Sequence, residues 1–191
     1  MVLEIVNFGH PALRQKGERV SEVTAEIRQF VADMIETMHA AEGVGLAAQQ
    51  VARALQITVL DVRGVKDRPS TLEIDGAAVD VDAHMPLALI NPEVTLRGGE
   101  VIGPEGCLSF PEIYADIPRT ESVEVVALND VGKVIRFTCG GLLARAIQHE
   151  HDHLRGILFI DRMTRAKKDE LKPELDALQA ETKAALKKQV R

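Results

Sequence analysis

QHEHDHL, at residues 148–154, sets three histidines and two carboxylates within seven residues. On a helix, His149 and His153 lie about 40° apart and one turn along the same face, so both imidazoles can reach one ion. His151 stands roughly 200° from His149 and faces away. Glu150 sits beside the ligand face, where a carboxylate can reach a water on the ion. This is the HExxH arrangement of two ligands and a general base. The plain alternative is a surface helix with chance histidines, because the motif fixes only three positions. The surrounding stretch, LLARAIQHEHDHL (142–154), keeps a helical pattern between Gly140–Gly141 and Gly156.

Outward from that helix the strands come as hairpins. SVEVVALNDVGKVIRFTC (122–139) alternates apolar residues on either side of a turn at Asn129–Gly132. ALQITVLDV (54–62) and PLALINPEVTL (86–96) also read as strands. AEIRQFVADMIETMHAA (25–41) places Ile27, Phe30, Val31, Met34, Ile35 and Met38 at helical spacing. Thr24 is its N-cap, and Gly43 and Gly45 suit a helix end and a tight loop. Residues 63–85 are polar and turn-rich and predict a long loop or hairpin insertion. Residues 164–191 predict a C-terminal helix, with Pro173 near the start of its last piece. Hairpins with helices before, between and after them predict an α+β fold: antiparallel sheets packed around a central HExxH-bearing helix, in one domain spanning 1–191.

Composition narrows the function. Aromatics make up 3% of 191 residues and the net charge is −6, which argues against stacked-base or general phosphate binding. No specific nucleic acid is expected. No apolar run reaches membrane-span length, and the first twenty residues carry no signal-peptide pattern. Two cysteines, Cys107 and Cys139, make a disulfide scaffold improbable and a reducing compartment the default.

A catalytic metal site needs a third protein ligand and an open position. No histidine follows His153. Glu170 and Glu174 lie in an ordinary charged helix. Cys139 ends an apparent strand, where a free cysteine usually serves as core. Cys107, in the loop PEGCLSFP, is preferred. A third stretch, GVGLAAQQ (43–50), is a weak phosphate loop: it follows a helix and lacks a lysine. It reads instead as a Gly-rich loop presenting the Gln50 amide.

Taken in order, GVGLAAQQ (43–50), EGCLS (105–109) and QHEHDHL (148–154) resemble the signatures of peptide deformylases of the bacterial and organellar type. FGHPALR (8–14) and LFIDRM (158–163) extend the likeness from near the N-terminus to about residue 163. The resemblance implies Cys107, His149 and His153 as metal ligands and Glu150 as general acid/base. It implies that Gln50 and the Leu108 N–H meet the oxyanion. Val44, Gly45 and Gly106 would pair with the substrate backbone like an added strand. Val44, Leu142 and Ala146 would contribute to a methionine pocket. Asp152, and Arg119 in IPR (117–119), would stand behind the ligands. Two positions depart from the family pattern and bear on peptide preference. Tyr114 stands where some members carry a substrate-touching arginine. Arg145, expected at the rim of the methionine pocket, replaces an aliphatic residue. The 63–85 insertion is longer than compact members require and receives no role.

The implied reaction removes formyl from N-formylmethionine at the N-terminus of nascent polypeptides, releasing formate, in the bacterial cytoplasm. One divalent ion is implied, Fe²⁺ in vivo, with Ni²⁺, Co²⁺ or Zn²⁺ as substitutes, although affinity alone favours Zn²⁺ over Fe²⁺. Residues 165–191 carry eight Lys/Arg against five Asp/Glu, a local +3 on a chain of net −6. That tail is read as a solvated helix packed by Leu171, Leu175, Leu178 and Leu186, with a ribosome contact as the competing reading. Two rival functions are weighed. A metallopeptidase would take His or Glu as third ligand, against EGCLS. A metal-stabilised binding protein would close its site with four protein ligands.

Overall fold

The computed structural model describes residues 1–189. Helix α1 (Ala25–Ala40) begins where expected: the Thr24 hydroxyl accepts from the Ile27 N–H, and Met34 and Met38 are fully buried. Its end differs in detail. Glu42, not a glycine, takes the left-handed conformation at φ 53°. Gly43 instead allows a close approach: a Cβ there would stand 2.7 Å from a Leu108 methyl, which would have to move.

Strands β1 (Gly45–Ala47), β2 (Ile57–Leu60), β3 (Ser70–Ile74), β4 (Ala77–Ala78), β5 (Leu87–Cys107), β6 (Phe110–Leu128) and β7 (Val134–Gly140) form one continuous antiparallel sheet. Its order is β1-β2-β5-β6-β7-β3-β4. Three register shifts interrupt β5 against β6, at Ile90/Glu93, Arg97/Glu100 and Gly106/Cys107, and such bulges kink and re-aim a ladder. Cys107 was expected in a loop. It ends the 21-residue β5, faces Phe110 across the ladder, and only Leu108 and Ser109 separate the two strands.

The 63–85 segment is a hairpin with a structural task. Thr71, Leu72 and Glu73 pair with Gly140, Cys139 and Thr138 of β7. Helix α2 (Gly141–Leu154) has no side-chain cap from Gly140, and its first donors are met by this segment. Leu142 N donates to the Pro69 carbonyl at 3.2 Å and Leu143 N to Ser70 Oγ at 3.0 Å.

Helix α2 is central: it packs against β1, β2, β3, β5, β6 and β7, and twelve of its fourteen residues are buried. Leu142, Leu143, Ala144, Ala146 and Ile147 join the cluster of Val123, Val125, Phe137 and Cys139. A second cluster sits between α1 and β1–β2, and a third gathers Phe110, Ile117, Phe159 and Leu175. The expected C-terminal helix comes in two pieces, α3 (Arg165–Glu170) and α4 (Lys172–Gln189), broken at Leu171 near the expected interruption at Pro173. Pro173, second in α4, sits where an absent N–H breaks no helical bond. Leu171, Leu175 and Leu178 dock against the third cluster. Val190 and Arg191, part of the expected tail, lie outside the described residues. Among the described residues no helix is long and apolar enough to cross a membrane.

Candidate active site

Buried apolar residues on α2 need no explanation; buried polar ones do. His149, Glu150, Asp152 and His153 are all buried, which removes the surface-helix alternative. The turn-spaced histidines share a face, their ring centroids 5.1 Å apart. Cys107 Sγ lies 3.3 Å from His153 Nε2. Ligand atoms from Cys107, His149 and His153 all fall within 4.8 Å of one another. Glu170 and Glu174 are exposed on α3 and α4, and Cys139 is core, where burial pushes its thiol up to about 12.

The set suits a divalent ion. One thiol and two imidazoles are a donor set for Zn²⁺ or Fe²⁺. Each imidazole keeps one nitrogen for an ion. His149 turns Nδ1 to Glu105 Oε2 at 3.0 Å, which leaves Nε2 free. Burial, with His149 close by, holds His153 well below its ordinary pKa, whereas His149, against its burial, is drawn well above its own by Cys107 and Glu105, the negative charge that an ion at this site would share. Glu150 Oε2 is buried with no hydrogen-bond partner among the described residues. An orphaned carboxylate oxygen is costly unless a water or substrate group meets it. Burial raises the Glu150 carboxyl to about 7, against the lowering effect of His149.

One stretch, β1 and the 3-10 turn that follows it (Ala48–Val51), holds Glu150 and Gln50 in place. A Cβ at Gly45 would stand 2.9 Å from Glu150 Cγ and Cδ, so β1 accepts only glycine against this carboxylate. Gln50 Oε1 accepts from the Ala47 N–H at 2.8 Å. That bond fixes the amide and directs Nε2 toward Cys107 Sγ (3.5 Å) and Ser109 Oγ (3.4 Å).

The site floors a cavity of about 580 Å³. Val44, Gly45, Gly106, Leu142 and Ala146, all read as substrate contacts, line it with Gln50, Cys107, Leu108, His149 and Glu150. His153 lies below the lining, 1% exposed. Tyr114 is also there, its ring so close over Gly106 that a Cβ would meet Cε1 at 2.6 Å. Arg145 borders the cavity beside Leu142 and Ala146, as expected, and its guanidinium donates to Glu105 Oε1 (2.9 Å) and to the carbonyls of Val101, Gly103 and Ile117.

Sequence reasoning assigned nothing to Glu105, yet it joins the site together. Its carboxylate meets His149, Arg145 and both Nε and Nη2 of Arg119 at 2.9–3.0 Å. Burial alone would raise its pKa; the bonds from His149 and Arg119 prevail and hold it at about 2. Arg119 continues to Asp152 at 2.5 Å, as expected of that pair, and Arg162 closes the row on Asp152 at 2.5 and 2.6 Å. Two periodicities carried the missing signal. Glu105 and Cys107 are two apart on a strand, hence on one face, and Arg145 lies one turn before His149.

A buried HExxH helix facing a cysteine at the floor of a peptide-sized cleft defines a hydrolase-type site. The particular family follows from comparison. The model of the polypeptide deformylase family matches residues 2–169. A peptide deformylase of Methylacidiphilum infernorum is 44% identical over 93% of both chains, and one of Opitutus terrae is 42% identical over 98% of both. Among solved structures, a peptide deformylase from Synechococcus elongatus in complex with actinonin is 38% identical. It superposes with a TM-score of 0.76 over 90% of this chain and 85% of that one. The Thermus thermophilus peptide deformylase gives 34% identity and 0.79 over 95% and 99%. The chain belongs to the polypeptide deformylase family and is an amide hydrolase.

Proposed function

We propose that this chain removes the formyl group from N-formylmethionine at the N-terminus of nascent polypeptides and releases formate. The observation that carries the reading is the convergence of three distant stretches on one cleft: Cys107 and Leu108, Gln50, and the His149–Glu150–His153 face.

Cys107, His149 and His153 would hold a divalent ion. When bound, that ion supplies positive charge that acidifies water and polarises the formyl oxygen. Fe²⁺ is the proposed ion in the cell, with Ni²⁺ or Co²⁺ as active substitutes. Glu150 Oε2 accepts the proton of the attacking water as its oxygen bonds to the formyl carbon. Gln50 Nε2 and the Leu108 N–H then face the developing oxyanion, and each such donor is worth roughly 3 kcal/mol. Glu150 returns the proton to the amide nitrogen as the C–N bond breaks, leaving formate and a free α-amine. Val44, Gly45 and Gly106 hold the substrate backbone as an added strand. Leu142, Ala146 and Val44 take the methionine side chain. The proposed location is the bacterial cytoplasm.

The test is formate release from formyl-Met-Ala-Ser by anaerobically purified protein, with bound metal quantified. Release is expected. Protein loaded with Fe²⁺ or Ni²⁺ that releases none would overturn the reading in favour of a binding protein. For α4, the docking of Leu171, Leu175 and Leu178 supports the solvated-helix reading over a ribosome contact. Deleting residues 176–191 should leave ribosome binding unchanged in a sedimentation assay; loss of binding would reverse that choice.

A further inference from the structure

The 63–85 segment brings one cation to the cleft. Arg68 lines the same cavity as Val44, Gly106 and Leu142. It is half-buried, and its Nη2 donates to the Pro104 carbonyl at 3.1 Å. Among the described residues no carboxylate pairs with it, whereas nearby Arg63 is taken by Asp61. Its backbone is anchored, because the next residue, Pro69, accepts from Leu142 N and β3 begins at Ser70. Arg68 therefore stands on the Leu142 wall, at the Pro104 end of the cleft. Of the four acids of the lining, Glu105 and Glu150 are buried within the site, and Glu42 and Glu112 are exposed. Glu42 precedes Gly43, which lies against Leu108, and Glu112 follows the Leu108–Ser109 turn.

Side chains of an extended peptide alternate in direction. With the methionine side chain against Leu142 and Ala146, the second residue faces away. The third returns to the Leu142 wall, where Arg68 waits. A guanidinium that has spent one N–H on a carbonyl still offers a fork matched to a carboxylate. We propose that Arg68 is a specificity-determining residue that favours formyl-peptides with an acidic side chain at the third position. This rests on the deformylase reading and deepens it. It also gives a role to the insertion: one hairpin caps the catalytic helix and sets a cation over the substrate path.

Three amidated peptides test it, formyl-Met-Ala-Asp-Ala, formyl-Met-Ala-Ala-Ala and formyl-Met-Ala-Lys-Ala, with metal content matched between proteins. For the wild type, KM for the Asp peptide should lie about fivefold below that for the Lys peptide at low salt, the size of a partly exposed ion pair. The ratio should shrink in about 0.5 M salt. Arg68→Ala should bring the two values within about twofold and Arg68→Glu should invert their order. Equal KM values in the wild type, or a preference that survives Arg68→Ala, overturn the proposal while the deformylase reading stands. If none of the peptides is hydrolysed by loaded protein, the deformylase reading fails and this proposal falls with it.

Discussion

Replacing Glu150 by Gln lowers kcat for formate release by roughly 10²–10⁴-fold, the usual contribution of a positioned acid/base, while bound metal stays at the wild-type level. The substitution keeps the volume of a side chain that is 4% exposed and wedged against Gly45, so the fold has no reason to change. What changes is Oε2, the oxygen with no partner among the described residues, which becomes unable to accept a proton while the ligand atoms of Cys107, His149 and His153 are untouched. Gly45→Ala reaches the same carboxylate from the other side. Its Cβ would press on Glu150 Cγ and Cδ, so the carboxylate must swing and kcat should fall with little loss of metal. Metal analysis and single-turnover rates on both variants are the check. A Glu150→Gln enzyme within about tenfold of wild type would mean that another group moves the proton.

Much of this site was legible because its signals are local. The 3.6-residue period put His149 and His153 on one face, and Thr24 capped α1 as its residue type suggests. The second half of β5 was not legible. Gly98, Gly99, Gly103 and Pro104 punctuate residues 97–107 like a loop, and only the ladder to β6 makes them strand. The 63–85 segment read as a loop or hairpin, but its role was hidden for a similar reason, since β3 is placed by its partner β7 and its N-terminal flank by donors on α2. Arg145 borders the pocket as expected, but its partners were not legible, because its acceptors are carbonyls of Val101, Gly103 and Ile117, which belong to strands no local pattern brings together. Side chains that read one another across the sheet leave their trace only in registers.

Glu105 is where that non-local order has its largest expected consequence. One carboxylate, 7% exposed, neutralises two guanidinium groups and orients an imidazole. In Glu105→Gln, Arg119 keeps Asp152 and Arg145 keeps three carbonyls, so the loss lies at the lower end for a broken buried ion pair, about 3 kcal/mol. For a domain of this size that lowers Tm by roughly 6–12 °C. The second effect is on the metal. His149 Nδ1 loses its anionic acceptor, the ring is no longer held with Nε2 toward Cys107 and His153, and affinity for a divalent ion falls roughly 10–100-fold. The two effects separate by experiment. Tm of the metal-free proteins reads the ion network alone, and chelator competition reads the imidazole alone. A lowered Tm with unchanged metal affinity would make Glu105 a structural counter-ion only. Unchanged values of both would mean that His149 is oriented by its place on α2 and that the carboxylate behind it contributes nothing to either.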